Sequence, residues 1–494
     1  MALDPVATSA TLPSELTDLD ADALSRAIHA RQLSCRDVMA AYLDRIARLN
    51  PQANAIVNLR PAETLLGEAD VCDAELARGQ SRGWLHGVPQ AIKDTGHAKG
   101  LPTTVGSPLL ASAVATQDSA YVARMKAAGA LVLGKTNMPE LGLGSHTYNP
   151  LFGATPNPWD ASRSSGGSSG GAAAALALRL LPVADGSDFM GSLRNPAGWC
   201  HVFGLRPSLG RIPSWPKPDV WISQMGIDGP MARTVHDLSM LLAIQAGHDP
   251  RTPLSLTEDP SALVPGPEAA DHGAQGQRVA WLGDLGGHLA IEPGILPVCE
   301  GALRTLAEAG AVVSPATLGF DLDAVWQAWL VWRRALVAPN VAVALAQRPD
   351  ARQQVKAEAL WEYDAAQNLS YVDFMAASQL RTAFYQHLLG MFEQFDVLAL
   401  PVAQAWPLPI EDTWPRSVAG RAMDTYHRWM EVTLYATFAG LPAISVPAGF
   451  DTSGRWPMGL QLIGKPRGEA ALLRLAKAYE ARCSDLLARR PPAN

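Results

Sequence analysis

Apolar residues recur at helical spacing along the first part of the chain, which predicts two amphipathic helices. The second helix begins after Ser34, and Asp37 follows at the spacing of a capping pair. The Asn50-Pro51 pair predicts the end of this helix, because a proline disfavours helical geometry in the residue before it. We therefore expect an N-terminal helical arm over residues 1–70, whose first fifteen residues form a disordered lead-in.

From residue 85 onward, short apolar runs alternate with helical segments. Several runs are rich in Val, Ile and Leu on both faces, as strands buried in a helix-covered sheet are. This alternation predicts an α/β fold with a mostly parallel or mixed sheet. The predicted strands are residues 88–92, 130–133, 181–184, 279–282, 397–400 and 443–446.

The remaining segments differ in composition. Residues 172–180 are rich in Ala and Leu and predict a helix, whereas residues 253–277 are rich in Pro, Gly and acidic side chains and predict a loop. Residues 320–346 and 355–386 predict helices, the first of them split at Pro339. Similar strands lie on both sides of the loop, so we expect one interrupted sheet rather than two independent domains.

Composition excludes several classes of function. The net charge of the 494 residues is −7 and no long basic run occurs, which argues against nucleic-acid binding. The N-terminus lacks the pattern of a signal peptide, and no apolar stretch is long enough to cross a bilayer. We therefore expect a cytoplasmic protein without membrane contact.

The cysteines are odd in number and scattered, without a C-x-x-C pair, and no H-E-x-x-H motif occurs. We therefore expect reduced, mostly buried thiols, with neither a disulfide framework nor a metal site. The cysteines are Cys35, Cys72, Cys200, Cys299 and Cys483.

A run of Gly and Ser at residues 166–171 matches the nucleophile-elbow pattern G-x-S-x-G, with either Ser168 or Ser169 as the serine. An α/β-hydrolase-type esterase would also need a later acidic residue and a histidine, and His387 and His427 are available. This alternative stays open on the residues alone.

Residues 129–136 match the Walker A pattern letter by letter. Their four spacer residues are apolar and β-prone, which is typical of a buried strand rather than a phosphate loop. Pro139 follows where a helix should begin. A nucleotide-binding site is therefore disfavoured.

A third arrangement combines Lys93, Ser168 and Ser192. One lysine and two serines can supply a nucleophile and its base without histidine, as in a serine hydrolase that acts on amide-like bonds. Over nearly its whole length the chain resembles the amidase signature family. The matching motifs are residues 50–55 (NPQANA), 87–94 (GVPQAIKD), 134–137 (GKTN), 157–160 (NPWD), 166–171 (GGSSGG), 192–196 (SLRNP), 440–447 (GLPAISVP) and 459–464 (GLQLIG).

The resemblance implies a large mixed, twisted β-sheet covered by helices, in a single interrupted catalytic domain over residues 71–494. It implies a catalytic triad in which Ser192 is the nucleophile, Ser168 relays protons and Lys93 is the base. It also implies a cis peptide bond between Gly167 and Ser168. Lys93 must be neutral to accept a proton, so its pKa must be depressed by burial and by nearby positive potential.

The resemblance places the oxyanion hole at the backbone amides of Phe189, Met190, Gly191 and Ser192. The chain departs here from the family, whose usual pair of glycines before the nucleophile is Met190-Gly191. Either Met190 adopts a strained positive φ, or its φ is ordinary and the two bulky side chains shape the acyl pocket.

Asp188 and Arg194 flank the nucleophile, and we expect an ion pair that fixes its loop, with a surface ion pair as the alternative. Asp94, next to Lys93, is expected to be structural, because a direct ion pair would raise the lysine pKa and oppose its function as a base.

Gly144 and Ser145 match a family position near the substrate, with a plain loop serine as the alternative for Ser145. Trp326, Trp329 and Trp332 recur every three residues on a predicted helix. Trp326 and Trp329 are candidates for an aromatic wall of the substrate pocket, with ordinary core packing as the alternative.

The hypothesis is a cofactor-free amidase that hydrolyses a carboxamide or aryl amide, or a carbamate, through an acyl-enzyme. Its expected partner is a small-molecule amide, and a homodimer is the expected assembly. A glutaminase subunit of a tRNA-dependent amidotransferase shares the same motifs and remains an alternative.

Overall fold

The computed structural model describes residues 15–492, so that all but the last residue of the predicted lead-in lies outside the described residues. Helices and strands alternate through this range, which confirms the predicted α/β class. The strands are β1 (Ile56–Val57), β2 (Pro89–Lys93), β3 (Leu131–Thr136), β4 (Pro156–Asn157), β5 (Asp160–Ser164), β6 (Val183–Asp188), β7 (Phe203–Arg206), β8 (Ile227–Ala232), β9 (Arg278–Trp281), β10 (Val312–Pro315), β11 (Val397–Pro401), β12 (Ser417–Val418), β13 (Arg421–Ala422), β14 (Ala443–Phe450) and β15 (Pro457–Gly464). The helices are α1 (Ala21–His29), α2 (Cys35–Ala53), α3 (Ala62–Ala77), α4 (Ala120–Ala127), α5 (Gly170–Ala177), α6 (Asn195–Cys200), α7 (Val235–Gln245), α8 (Ala269–His272), α9 (Ile295–Glu308), α10 (Leu322–Leu345), α11 (Ala357–Ala366), α12 (Tyr371–Gln394), α13 (Leu434–Phe438), α14 (Glu469–Arg482) and α15 (Ser484–Leu487).

The core of the fold is a mixed sheet of eight strands in the order β10-β9-β11-β15-β14-β7-β8-β6. Strands β10, β9 and β11 run parallel to one another, and the other neighbours pair antiparallel. Helices α6, α7, α9 and α14 pack against its strands. The large mixed sheet covered by helices agrees with the fold that the resemblance implied.

A second, smaller sheet has the order β1-β3-β2. Strand β2 pairs parallel with β3, and β1 pairs antiparallel with it. Because β2 packs against β6 of the large sheet, the two sheets share one interior. The expectation of one interrupted sheet is therefore wrong for the strands predicted at 88–92 and 130–133.

The N-terminal helices belong to the same hydrophobic core as the sheets. The Ser34 hydroxyl accepts the amide of Asp37 at 2.9 Å, as predicted. Helix α2 continues through Pro51, against expectation, since the hydrogen bond that a proline removes belongs here to the last turn. Asn54, with φ 42°, follows the end of the helix. The boundary drawn at residue 70 falls inside α3.

Helix α10 also continues through its proline, so the split expected at Pro339 is wrong. Val337, Ala338 and Val341 are buried on both sides of the proline, and this packing holds the two parts together. Residues 355–386 are mainly helical, as predicted, and contain α11 and most of α12. Within residues 15–492 no helix has the length and apolar character that a membrane crossing requires.

Candidate active site

Lys93 is the last residue of β2 and is fully buried. Its Nζ donates to the hydroxyls of Ser168 at 2.8 Å, Ser169 at 2.9 Å and Ser187 at 2.9 Å. Because a strand buried on both faces carries this lysine, the amine lies inside the protein among hydroxyls instead of in water. The structure thus brings two of the three predicted catalytic residues, Lys93 and Ser168, into direct contact.

Burial lowers the pKa of Lys93 to about 7, while the carboxylates of Asp228, Asp188 and Asp185 oppose this shift. The N-terminus of α5, which begins at Gly170, follows Ser168 and Ser169 directly and adds positive potential. An amine with this pKa is neutral in a large fraction of molecules at neutral pH and can accept a proton.

The Gly/Ser run forms a tight loop before α5. Gly166 has φ 80°, and the peptide bond between Gly167 and Ser168 is cis. The Ser145 hydroxyl donates to the carbonyl of Gly167 at 2.9 Å. Ser145 is itself buried and does not line the cavity, so the structure gives it a loop-positioning contact instead of the expected substrate contact.

Asp94 has a structural environment, as expected. Its carboxylate pairs with Lys135 Nζ at 3.7 Å and accepts the backbone amides of Thr104 at 3.2 Å and Gly106 at 3.3 Å. Lys135 is the lysine of the Walker A pattern and lies within the buried strand β3. That pattern is therefore a strand, as its apolar spacer predicted.

Ser192 lies in the loop that follows β6. The positive φ in this loop belongs to Gly191, at 91°. Met190 has an ordinary φ, so the strained backbone considered for it in the sequence analysis does not occur. The amide of Gly191 donates to Asp188 Oδ1 at 2.8 Å. Gly191 is therefore unsuited to the oxyanion hole, whereas the amides of Phe189, Met190 and Ser192 donate no hydrogen bond to any acceptor within residues 15–492.

Asp188 and Arg194 form the expected ion pair in the interior, so the surface alternative is wrong. Arg194 Nε and Nη2 donate to the two carboxylate oxygens, each at 3.0 Å, and both side chains are 0% exposed. Arg194 also donates to Gln461 Oε1 at 2.8 Å and to Thr437 Oγ1 at 2.9 Å. Burial disfavours a charged Asp188, but Arg194 and Arg206 outweigh it and hold the pKa of this carboxyl well below its usual range.

Ser168 and Ser192 line one cavity of about 760 Å³, and Gly144 lies in its wall as expected. Trp326 and Trp329 do not line it; both are buried in the core, so the expectation of an aromatic wall is wrong for them. Trp329 lies behind Phe189, with 5.5 Å between ring centroids. Phe189 does line it, as do the aromatic residues Tyr121 and Trp215, and Phe189 lies in an apolar region that includes Met190, Leu141, Leu143, Leu336, Val337, Val341 and Met430.

Sequence reasoning missed several polar residues of this cavity, and Ser187, Lys217, Asp228 and Arg333 are the ones that bear on its chemistry. Asp228 on β8 lies directly opposite Ser187 on β6, so the two side chains share one face of the sheet. The alternation along β6 could have indicated Ser187. The other three come from distant segments without a local motif.

The histidines do not support a nucleophile elbow. Within the described range no histidine forms a hydrogen bond with Ser168, Ser169 or Ser192. His387 Nε2 contacts a backbone carbonyl, and His427 is fully buried among aromatic rings. The esterase alternative is therefore wrong.

One group of side chains has the composition of a metal site. Potential ligand atoms of Cys72, Glu75 and His86 lie within 4.8 Å of one another. However, Glu75 forms two hydrogen bonds with Arg82, at 2.7 and 2.6 Å, and both ring nitrogens of His86 have backbone partners at 3.0 Å. The potential ligand atoms of Glu75 and His86 are thus already used in hydrogen bonds, and we interpret the three residues as a structural cluster.

Comparison with known proteins identifies the family of this chain. Residues 37–473 match the family model of the amidases. An acylamidase of Rhodococcus erythropolis is 35% identical over 469 residues, which cover 94% of this chain and 95% of that protein. A subunit of the glutamyl-tRNA(Gln) amidotransferase of Thermosynechococcus vestitus is 34% identical over 488 residues, covering 92% and 96%.

Among solved structures, a bacterial aryl acylamidase of the amidase signature family superposes with a TM-score of 0.86 at 29% identity, covering 96% of this chain and 99% of that one. A 6-aminohexanoate cyclic dimer hydrolase complexed with substrate gives a TM-score of 0.84 at 27% identity, covering 96% and 99%. The chain therefore belongs to the amidase signature family and is an amide-hydrolysing enzyme.

Proposed function

We propose that this enzyme hydrolyses a linear amide with an apolar, aryl-containing part, through Ser192 as nucleophile, Ser168 as proton relay and Lys93 as base. The observation that carries the proposal is the contact of 2.8 Å between the buried amine of Lys93 and the hydroxyl of Ser168, because Ser168 and Ser192 line the same cavity. No cofactor is needed for this chemistry.

In the first half-reaction, Ser192 Oγ attacks the amide carbonyl carbon and gives its proton to Ser168, which passes its own proton to neutral Lys93. The oxyanion that forms is stabilised by the amides of Phe189, Met190 and Ser192. The C–N bond then breaks as the proton returns through Ser168 to the leaving nitrogen. The acyl group remains on Ser192 as an ester.

In the second half-reaction, water loses a proton along the same route and attacks this ester. The carboxylic acid leaves, and Ser192 regains its hydroxyl proton through Ser168. The Asp188–Arg194 ion pair supports both steps because Asp188 holds the amides of Gly191 and Leu193, at 2.8 and 3.2 Å, and thereby fixes the loop.

The substrate class is proposed from the cavity lining. Phe189, Met190, Leu336, Val337 and Met430 give one region of the cavity an apolar surface, which favours an aryl or other hydrophobic group. The similarity to an acylamidase and an aryl acylamidase supports the same class. Carbamates, which present a similar carbonyl, belong in the first substrate panel beside anilides, aliphatic amides and esters.

The test is covalent labelling with a fluorophosphonate probe, followed by peptide mass spectrometry and anilide turnover. We expect the adduct on Ser192 and its loss in Ser192→Ala. Lys93→Met should lower turnover by about 10²–10⁴, the usual contribution of a general base. His97→Asn, at another position of the cavity wall, is the matched control and should label normally. An adduct on a different residue, or parental turnover by Lys93→Met, would contradict the proposal.

A second candidate is a glutaminase component of an amidotransferase, which the similarity to the glutamyl-tRNA(Gln) amidotransferase protein favours. Glutamine carries two charges on its α-carbon, and the apolar region formed by Phe189, Met430 and Val337 offers them no partners, so that they would have to lie toward Lys217 and Asp228 of the same cavity. Ammonia release from glutamine, compared with aniline release from acetanilide, separates the two candidates. Size-exclusion chromatography of the pure protein tests the expected homodimer.

We also propose a cytoplasmic location. All five cysteines are free thiols and buried, as in proteins of a reducing compartment. Fractionation of cells that express the protein, followed by an immunoblot, tests this assignment.

A further inference from the structure

Arg333 projects from α10 into the wall of the reaction cavity. The residue is only 2% exposed, yet it lines the cavity together with Leu336 and Val337 of the same helix. This guanidinium lies beside the apolar region of the wall, where an unpartnered charge is strongly unfavourable, so its partners decide what it can do.

Two of the three guanidinium nitrogens have protein partners. Nε donates to Glu362 Oε1, and Nη2 donates to the hydroxyl of Tyr426. The Tyr426 hydroxyl in turn donates to Glu362 Oε1 at 2.7 Å. The three side chains thus form a closed, buried network in which the carboxylate balances the charge of the guanidinium.

The third nitrogen, Nη1, has no hydrogen-bond acceptor within residues 15–492. The guanidinium carbon lies 5.4 Å from the ring centroid of Phe189, which precedes Ser192 by three residues. The unused donors of Arg333 are therefore next to the aromatic ring that lines the nucleophile's cavity.

We propose that Arg333 determines specificity by donating a hydrogen bond to a neutral oxygen acceptor, such as a ketone, ether or nitro oxygen, on the aryl part of the amide substrate. This inference rests on the proposed function. A neutral acceptor is preferred to a carboxylate because Glu362 already balances the guanidinium, and an added anion would bring uncompensated charge into the apolar region. Nη1 is held in place by the network, so that little side-chain entropy is lost when it binds.

The test uses acetanilide and two isosteric pairs of substrates. One pair carries a 4-acetyl or a 4-isopropyl group on the aniline ring of acetanilide, and the other carries the same groups on the acyl ring of benzanilide. The test variant is Arg333→Met/Glu362→Gln, which leaves no unpaired buried carboxylate. Arg334→Met is the control, because Arg334 is the next residue of α10 and lies over Trp361, away from the cavity.

We expect the wild type and the control to prefer the acetyl substrate of at least one pair. The double variant should lower this preference in kcat/KM by about 10–100-fold, mainly through KM, as for a hydrogen bond to a charged donor. Because both members of a pair are measured with every variant, electronic effects of the substituents cancel. An equal preference in wild type and double variant for both pairs overturns the proposal.

Two further measurements keep the outcomes separate. If the double variant fails to fold by circular dichroism, Arg333→Lys retains a cation beside Glu362 and should show the same loss, since lysine cannot reproduce the planar donor geometry. If the wild type hydrolyses none of the amides, the proposed function fails. Calorimetric measurement of substrate binding to Ser192→Ala then tests the proposed hydrogen bond of Arg333 independently of turnover. If the acetyl and the isopropyl member bind with equal affinity in both pairs, the inference is overturned.

Discussion

The pH dependence of amide hydrolysis is the sharpest consequence of the buried Lys93. Burial lowers its pKa to about 7, and only the neutral amine can act as a base. At pH 7 about half of the molecules then carry a neutral amine, whereas a lysine at its usual pKa would be neutral in about one molecule in three thousand. The protein environment thus increases the reactive fraction by roughly three orders of magnitude.

The assay is kcat/KM for an anilide between pH 5 and 9 at constant ionic strength. This parameter reports the ionisation of the free enzyme. We expect it to rise about tenfold per pH unit below pH 7 and to level off above it. The rate of labelling at Ser192 should follow the same curve, because it depends on the same base.

Asp228→Asn tests the cause of this behaviour. Asp228 is the foremost of the carboxylates that raise the pKa of Lys93, so its removal should move the acid limb to lower pH and increase the rate at pH 6. Asp350→Asn, at an exposed position, is the control and should leave the limb in place. The reasoning would be refuted if kcat/KM of the wild type were still rising tenfold per pH unit at pH 9. It would also be refuted if the rising part of the profile moved to higher pH in Asp228→Asn.

Three further predictions concern the loop after β6. Arg194→Met leaves Asp188 charged and buried, and should lower the free energy of unfolding in urea by about 3–5 kcal/mol; a loss near zero would contradict the buried network. Gly191→Ala puts a Cβ 2.6 Å from Thr433 Oγ1 at a φ of 91° and so displaces the neighbouring amides of Met190 and Ser192 from the proposed oxyanion hole; kcat should fall by about 10²–10³ with unchanged circular dichroism, and parental kcat would show that this loop need not be rigid. Phe189→Ala should raise KM for aryl amides about tenfold or more while short aliphatic amides are spared, and a parallel change for both would argue against an aromatic contact.

The sequence predicted the buried strands and the Gly/Ser loop well, because their signals are local. Strand β2 consists of five buried residues, and its apolar run predicts it without knowledge of the rest of the fold. The Walker A pattern was recognised as a strand for the same reason. Lys93, Ser168 and Ser192 were predicted through the resemblance to the amidase signature family, whose motifs surround each of them.

What the sequence could not predict depends on contacts between distant segments. Pro339 does not split α10, because its neighbours are held by packing that no local rule contains. Trp329 has a spacing that suits a pocket wall or a core equally, and only the position of Phe189 decides between them. Arg333 and Glu362 lie on separate helices, so no motif indicated their pair.

The division of strands between two sheets has a consequence for how the enzyme acquires its reactivity. The amine of Lys93 is carried by the three-stranded unit, while Ser192, the proposed nucleophile, follows an edge strand of the eight-stranded unit. Neither unit alone holds both side chains, so under the proposed mechanism we expect a chain in which the units have formed but not docked to be unreactive. Reactivity toward a serine-directed label during refolding therefore reports the docking of the two units, and not the formation of secondary structure.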